Sequence, residues 1–160
     1  MDIKKSFYRI RLSLLMYGFA WLLRMVGFIS RDFRMQLAKN DYTFIMGSKE
    51  DRTSRYFQFT GGNLRSGCNR STADFALIWR DNQSGGKVMI DMILGKRKAL
   101  YNAVIKGVLI LEGEGKYVSL FMDSMNQLNR IFNPKKKQKV PVRLSEFKIA
   151  DLILIFIKYM

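Results

Sequence analysis

Asp74, Asp91 and Asp123 are the side chains whose type suits them to acid–base chemistry. Their spacing puts no two of them on one turn of helix or one strand, so no pair has the defined separation that a general acid and base require. The chain contains no histidine, which removes the usual neutral-pH proton shuttle, the Ser/His triad and every His-ligated metal site. Cys68 is the single cysteine. It lies in a Gly/Asn/Arg-rich loop with no second thiol for a disulfide or a metal, and it reads as a loop residue of a chain kept in a reducing compartment. Asp74 is more simply a strand-edge or turn residue. The residues therefore imply no catalytic site, no metal and no cofactor.

The elements that surround these residues are strongly apolar, and the charge is unevenly spread. The 160 residues are enough for one ordinary domain. Lys and Arg number 28 against 13 Asp and Glu, a net charge of +15. Residues 1–40 hold eight basic and two acidic side chains, residues 41–132 hold 13 and nine, and residues 133–160 hold seven and two. The excess sits in the two end segments, which are also greasy. Such an excess calls for an anionic partner, nucleic acid or lipid headgroups.

Residues 7–29 are apolar at nearly every position without period-two alternation and predict a helix. Its uncharged run, residues 12–23, covers only about 18 Å, short of a hydrocarbon core of roughly 30 Å. Three readings stay open: a helix docked on the domain or lying in a membrane interface, a tilted span in which Arg24 snorkels, and a cleaved signal. Residues 42–46 and 55–60 predict a hairpin, residues 63–66 a short strand, and residues 72–80 a longer strand with Ala73, Phe75, Leu77 and Trp79 on one face. Residues 84–104 predict two short helices, the first capped by Ser84. Residues 106–112 alternate as a strand with Val108 and Ile110 facing one way. From Gly115 the spacing of Val118, Phe121, Met122, Met125, Leu128 and Phe132 is a helical stripe. A basic, proline-bounded linker then leads to an apolar segment, residues 144–160, whose capping signal favours a helix.

Taken together, TADFALIWRD, then MILGKRKALYNAVIKGVLILEGE, then the helix from Gly115 resemble the sterol carrier protein type-2 family. Gly95-Lys96, Ala99 or Ala103, Gly107, Leu109 and Gly113-Glu114 occur in that family's order and at comparable spacing. The resemblance covers residues 41–132 and leaves residues 1–40 as an N-terminal apolar, basic helical extension and residues 133–160 as a basic linker with a C-terminal apolar segment. It implies an α+β fold: a five-stranded, mainly antiparallel sheet covered on one face by helices around an apolar tunnel for a sterol, fatty acyl or isoprenoid chain. Family members addressed to the peroxisome end in a Ser-Lys-Leu-like signal, and this chain ends in Lys-Tyr-Met, so that address is not carried over.

The function so implied is non-enzymatic holding or transfer of a lipid by a cytoplasmic protein docked at a membrane surface, with the N-terminal helix as a single-span anchor in the second reading. Some bacterial relatives are accessory factors in ubiquinone assembly, which points to a lipid-modifying enzyme complex as a further partner. The residues expected to line the tunnel are Phe57, Phe59, Phe75, Leu77, Ile90, Ile93, Leu94, Val108, Ile110, Phe121, Met122 and Met125. Lys4, Lys5, Arg9 and Lys135, Lys136 and Lys137 are expected to meet anionic headgroups. The reading from another class is a basic nucleic-acid-binding sheet, with the aromatics of RYFQFTGGNLR stacking on bases.

Overall fold

The computed structural model of the chain describes residues 3–51, 53–68, 72–94, 96 and 98–132. Lys135 to Lys137, Gly95 and the apolar segment 144–160 lie outside the described residues. Helix α1 (Ile3–Ile29) is followed by α2 (Arg31–Ala38), then by strands β1 (Tyr42–Ser48), β2 (Ser54–Thr60), β3 (Asn63–Gly67) and β4 (Phe75–Trp79). Helices α3 (Asn82–Ile93) and α4 (Ala99–Ile105), strand β5 (Leu109–Gly113) and helix α5 (Gly115–Phe132) complete the order.

The five strands form one sheet in the order β3-β2-β1-β4-β5, with every neighbouring pair antiparallel except β1 and β4. Residues 42–46 and 55–60 pair as the expected hairpin, with Phe44 opposite Phe57. The β2–β3 turn is made by Gly61 and Gly62, both at positive φ, the conformation that a two-residue hairpin needs and that glycine adopts without steric cost. The backbone N–H of Gly61 donates to Asp41 Oδ1 at 2.8 Å, which fastens the turn to the chain entering β1.

Strand register decides which residues face the helices. Phe44, Met46 and Ser48 of β1 lie opposite Phe75, Leu77 and Trp79 of β4, and all six are buried. Each side chain of that row points to the same side, as the period of two requires. Helices α1, α3 and α5 cover this side: Phe19 meets Phe57, Phe121 meets Phe75, and Gly85 approaches Trp79 so closely that a Cβ there would lie 2.7 Å from the indole Cγ. The opposite side carries half-buried Ile45, Ile78 and Ile110 with polar Gln58 and exposed Glu112.

Local chemistry accounts for several boundaries that differ from expectation. Asp81, not Ser84, caps α3: its carboxylate accepts from Ser84 N at 2.7 Å and from Ser84 Oγ at 2.9 Å, so the helix starts at Asn82 and takes Gly85 and Gly86 into its first turns. Strand β4 starts at Phe75 and leaves Ala73 exposed, because Asp74 turns its carboxylate back to accept from Thr43 N at 2.6 Å. Helix α2, which the apolar pattern does not announce, is capped by Ser30 through Phe33 N at 3.2 Å and buries only Phe33 and Leu37.

Candidate functional site

The interior between sheet and helices is built around Phe44, at the middle of the sheet. Its ring stacks on Phe57 with centroids 4.7 Å apart and on Phe75 at 5.1 Å, and Phe121 of α5 tilts over it at 4.9 Å. Tyr42, two residues earlier on the same face, meets Phe59 at 5.0 Å, Phe75 at 6.1 Å and Tyr117 of α5 at 6.2 Å. Offset and tilted rings of this kind add about 0.5–1.5 kcal/mol per pair beyond the area they bury. Tyr42 and Phe44 of β1, like Phe57 and Phe59 of β2, are two residues apart, which is why both strands present these rings to one side.

Of the residues expected to line a tunnel, Phe57, Phe59, Phe75, Leu77, Phe121 and Met125 are buried in this interior. Ile90, Ile93 and Met122 are half-buried and pack against it. Leu94 caps the end of α3 and is 45% exposed. Val108 lies before β5 and is half-buried. Ile110 pairs with Ile78, whereas Leu109 pairs with Trp79 and Leu111 with Leu77, so Ile110 faces the side of the sheet away from α1, α3 and α5 and Leu109 is the inward residue. A one-residue difference in register moves every side chain of a strand to the other face, and the unbroken run Val108 to Leu111 has no polar residue to mark which face is wet. Phe44, Tyr42, Tyr117 and Ser124 were absent from the expected set. Phe44 and Tyr42 were legible as alternate residues of β1.

The sheet and α5 touch at Phe44 and Phe121, whose ring centroids are 4.9 Å apart. A surface depression of about 270 Å³ lies on the outer side of α1, lined by Arg9, Ile10, Ser13, Leu14 and Thr53.

Tyr42 brings a polar group into the interior, as do Ser124 and the indole N–H of Trp79. The Tyr42 hydroxyl is buried without a hydrogen-bond partner among the described residues. Burial pushes the phenol up to about 12, with the Ser124 hydroxyl beside it acting in the opposite direction. The three carboxylates considered for acid–base work do not gather in this interior: Asp74 accepts from the β1 backbone, Asp91 pairs with Lys96 at 2.6 Å, and Asp123 is on the exposed side of α5.

The second feature is α1. Its inner face, including Leu12, Met16, Phe19 and Leu23, is buried in the core. Its outer face carries Ile3, Phe7, Ile10, Leu14, Tyr17, Trp21, Met25 and Phe28, all large, apolar and exposed. Successive members are three or four residues apart, so they form one stripe along a helix about 40 Å long. Lys4 and Arg9 flank this stripe in the first turns, Arg9 beside Ile10 and Leu14, whereas Lys5, 3.9 Å from Glu50, is on the side of Leu12 and Met16. The helix is long and apolar enough to cross a bilayer. Of the aromatics in RYFQFTGGNLR, Phe57 and Phe59 face inward and are buried, and Tyr56 is on the outward side of β2 with Gln58.

The same arrangement of sheet and helices occurs in a solved structure described as a UbiJ-SCP2 ubiquinone synthesis protein, with 19% identity, a TM-score of 0.53, and coverage of 71% of this chain and 95% of that one. The domain is sterol carrier protein type-2-like in fold. A conserved hypothetical protein of Thermus thermophilus, TT1886, suggested to be a sterol carrier protein, aligns over 69% of this chain and 80% of its own at 13% identity and a TM-score of 0.47. No family model matches the sequence, and no curated protein matches it significantly. With this SCP2-like fold in hand, the sheet's aromatic side and α5 correspond to the two walls between which the sequence reading expected a lipid chain.

Proposed function

We propose that this protein binds a hydrophobic lipid, a sterol, fatty acyl chain or isoprenoid quinone precursor, between its sheet and helices while docked on an anionic membrane surface, and that it performs no chemistry on that lipid itself. The observation that carries this reading is the two-faced α1 on an SCP2-like domain. A helix whose inner face is part of the core and whose outer face is a continuous apolar stripe beside basic residues suits an interface between water and hydrocarbon. Spanning would strip α1 from the core residues it covers, Phe57 among them, and leave these to water at about 1.5–3 kcal/mol for each side chain so exposed. The surface position is therefore favoured over the span.

The net charge of +15 adds attraction to anionic leaflets, worth about 1 kcal/mol per Lys or Arg held close to the surface. The lipid itself is favoured by burial of apolar area at ~25 cal/mol per Å², which needs no polar contact along the chain. The name of the UbiJ-SCP2 structure supports a polyprenylated quinone precursor among the candidates, and an enzyme complex that modifies the presented lipid is the partner this role calls for.

Mass spectrometry of lipids that co-purify with the gently extracted protein tests the reading. A stoichiometric lipid of one class is the expected result. Recovery of none, together with no uptake of fluorescent fatty acid or isoprenoid, defeats it. Release from membranes by salt supports the surface helix, and release by detergent alone supports the span.

A further inference from the structure

The depression on α1 holds a positive charge with no counter-ion. Its walls are Arg9, Ile10, Ser13 and Leu14 of α1 and Thr53, which stands just before β2. The acidic residues of the β1–β2 turn are turned toward α3 instead: Glu50 accepts from Asn82 N at 3.2 Å and lies 3.9 Å from Lys5, and Asp51 accepts from the Asn82 side-chain amide. Arg55, two residues on from Thr53, is engaged as well, donating to Ser66 Oγ at 3.4 Å and lying 5.2 Å over the Tyr17 ring. Among the described residues no ion pair or hydrogen bond occupies the side chains of Arg9, Ser13 or Thr53. Arg9 and Ser13 are one turn apart outside the exposed stripe, and Ile10 and Leu14 are one turn apart within it. The hollow therefore straddles the line at which a helix lying in a membrane interface passes from headgroups to acyl chains.

We propose that this hollow binds the phosphate of one anionic membrane phospholipid, with the Arg9 guanidinium and the Ser13 and Thr53 hydroxyls donating to the phosphate oxygens and the start of the acyl chains lying on Ile10 and Leu14. The inference rests on the membrane-docking reading and adds to it a specific lipid contact, distinct from the diffuse attraction of the net charge. A guanidinium fork with two hydroxyls suits a tetrahedral oxyanion, whose oxygens point in several directions. At about 270 Å³ the hollow is smaller than the roughly 300–1,000 Å³ of sites that enclose a whole small ligand, so it fits a headgroup whose tails stay in the bilayer. A nucleic-acid backbone would lay sugars and further charges on Ile10 and Leu14, whereas a phospholipid lays hydrocarbon there.

The full chain is titrated with dihexanoylphosphatidylglycerol, kept monomeric so that no membrane surface forms, and binding is read from the backbone amide shifts of Arg9, Ser13 and Thr53 in NMR spectra. Saturable shifts are expected, with inorganic phosphate binding about tenfold more weakly because it leaves Ile10 and Leu14 uncovered. Ser13→Ala and Thr53→Val, which keep the charge, are each expected to weaken the lipid about threefold and Arg9→Gln about tenfold, against less than about twofold for Lys106→Gln, the same charge change outside the hollow. Thr53→Val carries the hydroxyl test if Ser13→Ala shifts the melting temperature. Absence of saturable shifts, wild-type affinity in Arg9→Gln, or an equal loss in Lys106→Gln overturns the site while docking through the stripe stands. Equal affinity for inorganic phosphate overturns the lipid as the source of the phosphate, and tighter binding of a single-stranded oligonucleotide at the same amides overturns it in favour of nucleic acid. Failure of the wild-type chain to co-sediment with phosphatidylcholine–phosphatidylglycerol liposomes overturns the docking reading itself, and the site with it.

Discussion

Replacing Phe7 and Phe28 together by serine separates membrane docking from folding, because both rings lie on the outer stripe of α1 and neither belongs to the core. Phe7 is 53% exposed and Phe28 83% exposed. A phenylalanine presents on the order of 200 Å² when fully accessible, so the pair leaves roughly 270 Å² of ring surface in water. At ~25 cal/mol per Å² full transfer to hydrocarbon is worth about 7 kcal/mol. A helix lying in the headgroup boundary removes about half of that area from water, which leaves about 3 kcal/mol, or about two orders of magnitude in the partition coefficient. Co-sedimentation with phosphatidylcholine–phosphatidylglycerol liposomes measures it, with pure phosphatidylcholine and high salt as the electrostatic controls. Urea unfolding of the double variant should match the wild type within about 0.5 kcal/mol, since the substitutions are at the surface. Undiminished binding of the double variant to mixed liposomes, with salt alone sufficient to strip it, would refute the stripe as the docking element. Phe19→Ser, on the inner face, should instead lower the urea midpoint sharply.

Two further predictions concern the approach of α3 to the sheet. Gly85→Ala places a Cβ 2.7 Å from the Trp79 indole, whereas Gly86→Ala meets only a Leu15 methyl at 3.7 Å; chemical denaturation should show a loss of about 1–3 kcal/mol for the first and a neutral effect, or a gain of up to about 1 kcal/mol, for the second. The Asp81 carboxyl is raised by burial, but hydrogen bonds from Ser84 and the charge of Arg80 outweigh this, so its net shift is downward. A carboxyl whose folded value is depressed contributes stability that is fully present above its unfolded value of about 4 and is lost as pH falls through the folded value. Thermal melts of Asp81→Ala should therefore lie below wild type near neutrality, by about 1 kcal/mol of capping energy, and converge with it in acid.

Much of the architecture was legible because glycines and alternation mark it. Gly61-Gly62 predicts the β2–β3 hairpin, and Phe57 and Phe59 are inward because Gln58 and Thr60 between and after them are polar. The helical stripe of α5 follows from Phe121, Met125 and Leu128, which are buried on one face. Where polar punctuation fails, so does the reading. Nothing between Val108 and Leu111 distinguishes the two faces of β5, and only pairing with β4 makes Leu109 the inward residue. Ser84 and Asp81 are both competent caps, and the choice depends on where β4 releases the chain. The expected tunnel was inferred from two apolar walls, but periodicity cannot reveal how far apart those walls stand. In the structure Phe44 and Phe121 meet in ring contact at one point between them. The helix α2 was missed because eight residues with two buried side chains give too short a repeat to stand out. Its signal was Ser30 followed by Asp32, Phe33 and Leu37.

The close seating of Gly85 on Trp79 has an optical consequence. The chain has two tryptophans: Trp79, wholly enclosed, and Trp21, half exposed in the outer stripe. Trp21 stands where the protein would touch a bilayer and Trp79 where α3 rests on the sheet. With the other indole replaced by phenylalanine, each reports its own event through intrinsic emission. The order in which docking and interior rearrangement occur can then be timed without attaching a dye.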